Sequence, residues 1–170
     1  FRRNDGSRYF LVRQRFKDFR LDFIVLSLSV LPAYMGTDVR GIARLIEKQT
    51  GIPSFGFATN GMDTYVRGAG MAFRAIAERF CPAVQSPKAA DGRYGINLLG
   101  VTPLDFSVNG NVEALEQSVR DMGFRLMSSW AMGCTLEQLQ TAPQADVNLV
   151  VSVTGLPAAE YFYETYGIPY

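Results

Sequence analysis

The side chains that could do chemistry in this sequence cluster where apolar runs stop. Ser29 ends the run that begins at Phe23, Thr59-Asn60-Gly61 follows Ile52 to Ala58, and Ser152 ends the run from Val147. In a parallel α/β sheet, ligands gather beyond the C-terminal ends of the strands. The segments Ser29 to Asp38 and Ser152 to Pro157 are therefore the first candidate sites. Thr59, Asn60 and Gly61 could offer backbone and side-chain donors to a bound anion, or simply form a turn. Asp38 and Asp105 both lie in loops after strands. Each could be a ligand-facing carboxylate, with helix capping the more ordinary reading for Asp38 and turn formation for Asp105. Cys134 stands one residue before Thr135, where a helix dipole would lower a thiol's pKa and make it a nucleophile or ligand. A partly buried, inert thiol is the other reading, and Cys81 before Pro82 reads as structural.

What is missing narrows the chemistry further. The sequence contains no histidine, so Ser-His-Asp and Cys-His units cannot form within it. No Gly-x-Gly-x-x-Gly follows a strand, and no Walker-type lysine is present; Gly68-Ala-Gly70 lies inside a helical stretch. Two cysteines are too few for a disulfide framework and match no zinc spacing. A reducing cytoplasm follows most simply from that usage. The longest apolar run, Phe23 to Met35, is interrupted by Ser27, Ser29 and Pro32 and is shorter than the roughly 20 residues a membrane span needs.

The elements that must position these groups alternate along 170 residues with a net charge of +1. Residues 7–20 are predicted to form a basic amphipathic helix with Tyr9, Val12, Phe16 and Phe19 on one stripe. Residues 1–20 hold seven basic side chains against two acidic ones, a local balance of +5. Packing on a sheet, or docking an acidic partner, would use that face; nucleic acid is not expected. Strands are predicted over 23–30, 52–58, 96–101, 124–132 and 147–153. Between them lie helices opening at Thr37 or Asp38, near Thr64, at Asn111, at the capping box Thr135 to Gln138, and at Pro157. The helix over 64–80 is expected to turn Val66, Met71, Ala75, Ile76 and Phe80 inward. The predicted fold class is α/β, with two Rossmann-like units of mostly parallel sheet flanked by helices. Residues 1–80 make the first unit, 81–95 a linker and 96–170 the second.

One pattern is written twice. Asp22 to Pro32, a helix and Gly51-Ile52-Pro53 are matched by Asp146 to Pro157, a helix and Gly167-Ile168-Pro169. Over roughly residues 20–170 the chain resembles the nitrogenase component 1 type of oxidoreductase. That family includes the nitrogenase α and β subunits, their cofactor-assembly scaffolds and the dark-operative protochlorophyllide and chlorophyllide reductases. The resemblance rests on Met35-Gly36-Thr37-Asp38, like the family's Ile-Gly-Asp-Asp, and on Ile96 to Gly100. It continues in Gly133-Cys-Thr-Leu-Glu-Gln-Leu139 with Ala142-Pro143, and in Val147 to Ser152 leading to Tyr166-Gly-Ile-Pro-Tyr170.

The resemblance implies an internal fragment of such a subunit, without membrane association. The parent would pair with a homologous partner subunit and take electrons from an ATP-dependent iron–sulfur reductase. An iron–sulfur cluster or related metallocofactor is implied for the full-length protein, with none assigned to this fragment. The cofactor-facing residues would be Ser29, Gly36, Asp38, Thr59, Asn60, Gly61 and Ser152. Two departures stand out. Where cluster-binding members carry a ligating cysteine after Ser-Thr, this chain has Val30. Where the nitrogenase α subunit holds its iron–molybdenum cofactor through cysteine, it has Ser152. The alternative is a non-catalytic scaffold or small-molecule binding protein that kept the fold and lost the ligands.

Overall fold

The computed structural model describes residues 21–81, 92–107, 110–131 and 133–170. The basic helix expected over 7–20 and most of the linker expected over 81–95 lie outside them. The chain divides into two compact units, one ending at Asp63 and the other running from Thr64 to Tyr170.

The first unit is a parallel pair, β1 (Ile24–Ser27) and β2 (Ser54–Phe57), in the register Ile24↔Ser54 to Ser27↔Phe57. Between them run a one-turn helix, α1 (Val30–Tyr34), and the longer α2 (Val39–Thr50). The apolar run does not stay extended to Val30 as its composition suggests. Ser29 is extended and its carbonyl receives the Ala33 N–H, while Pro32, which needs no donor, sits in the first turn. Asp38 caps α2, its carboxylate accepting the Gly41 N–H at 2.8 Å. Gly51 ends α2 in the left-handed conformation. Val39 and Ala43 are buried on the helix's inner face. Gly56 is what lets α2 approach, because a Cβ there would lie 2.4 Å from the Val39 carbonyl oxygen.

The second unit is a three-stranded parallel sheet in the order β4 (Arg125–Ala131), β3 (Gly95–Val101), β5 (Val147–Val150). All seven residues of β3 are buried, as expected for a central parallel strand covered on both faces. Helices α3 (Tyr65–Phe80), α4 (Asn111–Asp121), α5 (Leu136–Leu139) and α6 (Leu156–Tyr166) complete the unit. The Thr135–Gln138 capping box opens α5 as predicted. Trp130 and Phe162 lie at the core with Leu99, Ala77, Ala158 and Ala159. The Trp130 ring meets Phe73 and Phe162 edge-on, at 6.0 and 5.5 Å between centroids. Several polar side chains in this core are linked to one another, while Ser129 Oγ and Asn148 Nδ2 are buried without a partner among the described residues. The Trp130 Nε1 donates to Ser128 Oγ at 3.0 Å and Ser128 to Asn97 Oδ1 at 2.7 Å. Asn97 in turn donates to the Ala142 carbonyl at 2.9 Å and to Asn148 Oδ1 at 2.8 Å.

Two expectations change. Helix α3, read from the sequence as part of the first unit, packs with α6 in the second. Its buried residues are Gly70 and Ala77, with Phe73 and Ile76 against the core, so the inner stripe is rotated from the one its bulky residues suggest. The reason is Gly70. A Cβ there would meet the Pro157 ring at 2.8 Å, so the two helices cross where α3 has no side chain.

The written repeat is also a structural one. The N–H of Ile24 donates to the Pro53 carbonyl at 2.8 Å, and that of Asn148 to the Pro169 carbonyl at 2.8 Å. Gly51 and Gly167 both end their helices with positive φ, 74° and 69°.

Gly68 and Gly70 look alike in sequence but differ in surroundings, since nothing lies within 4 Å of a Cβ at Gly68. Gly68→Ala should stabilise the protein by about 0.5–1 kcal/mol through helix propensity. Gly70→Ala should destabilise it by about 1–3 kcal/mol through overpacking. Urea unfolding of the two variants checks this; equal effects would contradict the helix crossing.

Candidate functional site

In the first unit the strand ends are tied together by the residues predicted to bind. Thr59 Oγ1 accepts the Leu28 N–H at 3.1 Å and donates to the Leu28 carbonyl at 2.9 Å. That side chain does the work of a missing strand partner just where β1 stops. Asn60 Oδ1 accepts the N–H groups of Met62 and Asp63, each at 2.9 Å, and the Asn60 N–H donates to the Asp63 carboxylate at 3.2 Å. Gly61 has φ +74°, and a Cβ there would lie 2.8 Å from Val30 Cγ2 and 3.0 Å from the Val30 nitrogen. The Thr59–Gly61 turn is thus pressed onto the start of α1, beside Ser29. Gly36, with φ +66°, makes the turn out of α1. Asp38 faces solvent apart from its cap and a 4.0 Å contact with Arg44. Around Ser29 the surface is apolar: Val30, Leu31, Tyr34, Met35 and Met62 are all exposed.

The seventh candidate, Ser152, lies in the second unit at the end of β5, in a different kind of site. Its hydroxyl donates to Asp105 and its oxygen accepts the Thr154 N–H at 3.3 Å and the Thr154 hydroxyl at 3.1 Å. Asp105 is the hub. It also accepts the Tyr65 hydroxyl and, at 3.0 Å, that of Thr102. One carboxylate therefore joins the first residue of α3, the loop after β3 and the loop after β5. Hydrogen bonds from Ser152 and then Tyr65 hold the Asp105 carboxyl below its ordinary range. The same bond to Asp105 raises the Tyr65 phenol, which must keep its proton to donate. Thr102-x-x-Asp105 is a local turn pattern that sequence could have flagged. Tyr65, 40 positions from Asp105, carried no such signal.

The loop that presents Ser152 has little freedom. A Cβ on Gly100, where φ is +92°, would lie 2.9 Å from the Gly155 nitrogen and from the Ser152 carbonyl oxygen. A Cβ on Gly155 would lie 2.7 Å from the Leu99 carbonyl carbon. Bare backbone crosses bare backbone at this point.

Residues 11–170 match the family described as nitrogenase component 1 type oxidoreductase. The chain belongs to that family. It is 24% identical over 140 residues to the nitrogenase molybdenum-iron protein alpha chain of Azospirillum brasilense, covering 79% of this chain and 28% of the relative. It is 32% identical over 76 residues to a subunit of the light-independent protochlorophyllide reductase of Leptolyngbya boryana, covering 44% of this chain and 15% of that one. The solved structure of nitrogenase Cp1 at pH 5 superposes with a TM-score of 0.75 at 20% identity, over 96% of this chain and 32% of that one. The chain thus spans less than a third of the proteins it matches, and the α/β fold with parallel sheets is the family's.

The family's metal chemistry can be tested against the donors present here. Val30 has no ligating atom. Ser152 has given its proton to Asp105 and accepts the Thr154 N–H, and the one Thr154 hydroxyl proton is shared between its oxygen and the Gly100 carbonyl. Cys81 donates to the Leu139 carbonyl at 3.2 Å, and burial pushes its thiol up to about 12. Among the described residues no three His, Cys, Asp or Glu side chains gather as a metal site. At Val30 and Ser152, the two positions that the resemblance sets against ligating cysteines, these residues do not fit a metallocluster. No described helix is long and apolar enough to cross a membrane.

Asp105 and Tyr65 give the network a pH signature. A carboxyl held below its unfolded value of about 3.9 adds stability above that pH and loses it as pH falls through the folded pKa. A phenol raised above about 10 adds stability below that pH and loses it as pH climbs through the raised value. The stability difference between wild type and Asp105→Asn should be flat near neutrality and shrink at both extremes. Urea midpoints measured across pH check this; a difference independent of pH would argue against the network.

Proposed function

We propose that this chain is an internal part of an oxidoreductase subunit of nitrogenase component 1 type. In this reading its strand-end loops form walls of a metallocofactor or substrate cavity. The parent protein works in the cytoplasm, pairs with a homologous subunit, and receives electrons from an ATP-dependent iron–sulfur reductase. The observation that carries the reading is the family match over residues 11–170, together with the repeated strand–loop–helix unit whose loops end at the strand C-termini. Open α/β sheets bind their ligands at such strand ends. Relatives named as an alpha chain and as a reductase subunit support an assembled parent.

In this proposal the chain's own residues shape and position. Thr59 and Gly61 hold the first rim against α1, and Asp105 holds the second through Tyr65, Thr102 and Ser152. Any cluster in the parent would draw its ligands from elsewhere than positions 30 and 152. A second reading, a scaffold or binding protein that kept the fold without the cluster, is favoured by one observation: neither Val30 nor Ser152 carries a thiol, and the Ser152 proton is given to Asp105.

Full-length protein purified without oxygen separates the two. The oxidoreductase reading expects bound iron and acid-labile sulfide, and a cluster signal in electron paramagnetic resonance that changes on adding an iron–sulfur reductase with MgATP. Protein free of iron and of any prosthetic group would leave the scaffold reading standing.

A further inference from the structure

We propose that Asp105 makes the rim at position 152 exclude an anionic metallocluster, so that this position is not a metal ligand in this protein. The inference rests on the family correspondence of Ser152, and it stands whichever reading of the whole protein is right.

Three features of the site carry it. The first is valence. A serine hydroxyl has one proton to give and two acceptor sites. Here the proton goes to Asp105 and the oxygen takes the Thr154 N–H, while the single Thr154 hydroxyl proton is shared between this oxygen and the Gly100 carbonyl. Binding a metal would require breaking that set and removing a proton that the hydroxyl holds tightly. The second is charge. Cluster sulfides and cysteine thiolates are anionic, and Asp105 is a carboxylate within hydrogen-bonding reach of this side chain. Among the described residues the partners of Asp105 are the hydroxyls of Tyr65, Thr102 and Ser152, so only neutral donors offset its charge. Like charges at such a distance disfavour each other's ionised form. The third is placement. The loop that carries Ser152 packs closely on the end of β3, where a Cβ added at Gly100 would lie 2.9 Å from the Ser152 carbonyl oxygen.

The consequence is that restoring the missing thiol would not by itself restore a ligand. A cysteine at 152 would face Asp105 as a thiol whose deprotonation is opposed. Removing the carboxylate's charge at the same time would free it.

The test uses full-length protein in four forms: wild type, Ser152→Ala, Ser152→Cys and Ser152→Cys with Asp105→Asn. The pH dependence of iodoacetamide alkylation at residue 152, read by peptide mass spectrometry, gives the thiol's pKa. In Ser152→Cys it should lie above the ordinary value of about 8.5. With Asp105→Asn it should fall, raising the alkylation rate at neutral pH several-fold. A thiol at or below the ordinary value in the single variant would overturn the proposal. Iron provides a second, independent readout that needs only a hydroxyl removed. After anaerobic incubation with ferrous iron and sulfide, wild type and Ser152→Ala should bind equal amounts. Iron that wild type holds and Ser152→Ala loses would sink the inference while strengthening a redox role for this site. Protein that binds no iron in either form would sink the oxidoreductase reading and leave the inference intact.

Discussion

The crossing of Gly100 and Gly155 is the contact on which the second unit's rim depends. Two backbones meet there with no room for a Cβ on either. Gly100 adopts a φ of +92°, which costs glycine little and other residues much. The crossing seats the loop after β5 on the end of β3, and so brings Ser152 and Thr154 beside Asp105. The hydroxyl network around Asp105 is exposed, and exposed hydrogen bonds alone would hold such a loop weakly. Packing sets the positions and the hydrogen bonds then refine them.

The same logic runs through the first unit with different residues. Gly56 admits α2 against β2, Gly61 admits the 59–61 turn against α1, and Thr59 closes the open end of β1 with two hydrogen bonds. Close backbone approaches and a short side-chain bridge recur at strand ends in both units. The repeated Gly-Ile-Pro step then delivers each returning segment to the strand beside it through one carbonyl, that of Pro53 or Pro169. An anchor copied twice indicates that the unit is defined by its turns more than by its apolar residues, which differ between copies. What differs most is the chemistry at the rims. One is ringed by Val30, Leu31, Met35 and Met62, the other centred on a carboxylate.

Local rules were legible in the sequence, and spatial ones were not. The Asp38 cap, the Gly51 terminus, the Thr135–Gln138 box, Pro157 in the first turn of α6 and the tight place at Gly56 each follow from a few neighbouring residues. The start of α1 was hidden because Ser29-Val-Leu-Pro32 continues an apolar run, although proline in a first turn is a fair helix signal. The partner of α3 was hidden for another reason. Periodicity tells which residues face inward only if bulk decides, and here a glycine decides. Of the seven residues named as candidates, Ser29, Thr59, Asn60 and Gly61 meet at one rim. Ser152 stands with partners that no sequence spacing announced.

Trp130 is the chain's single tryptophan. Its indole is buried between Phe73 and Phe162, with its N–H held by Ser128. Tryptophan emission from this protein therefore originates in one place, inside the second unit. The fluorescence would shift to the red as that core opens to water, and it would give no optical account of the first unit. An investigator watching tryptophan light alone would follow the second unit and miss the first.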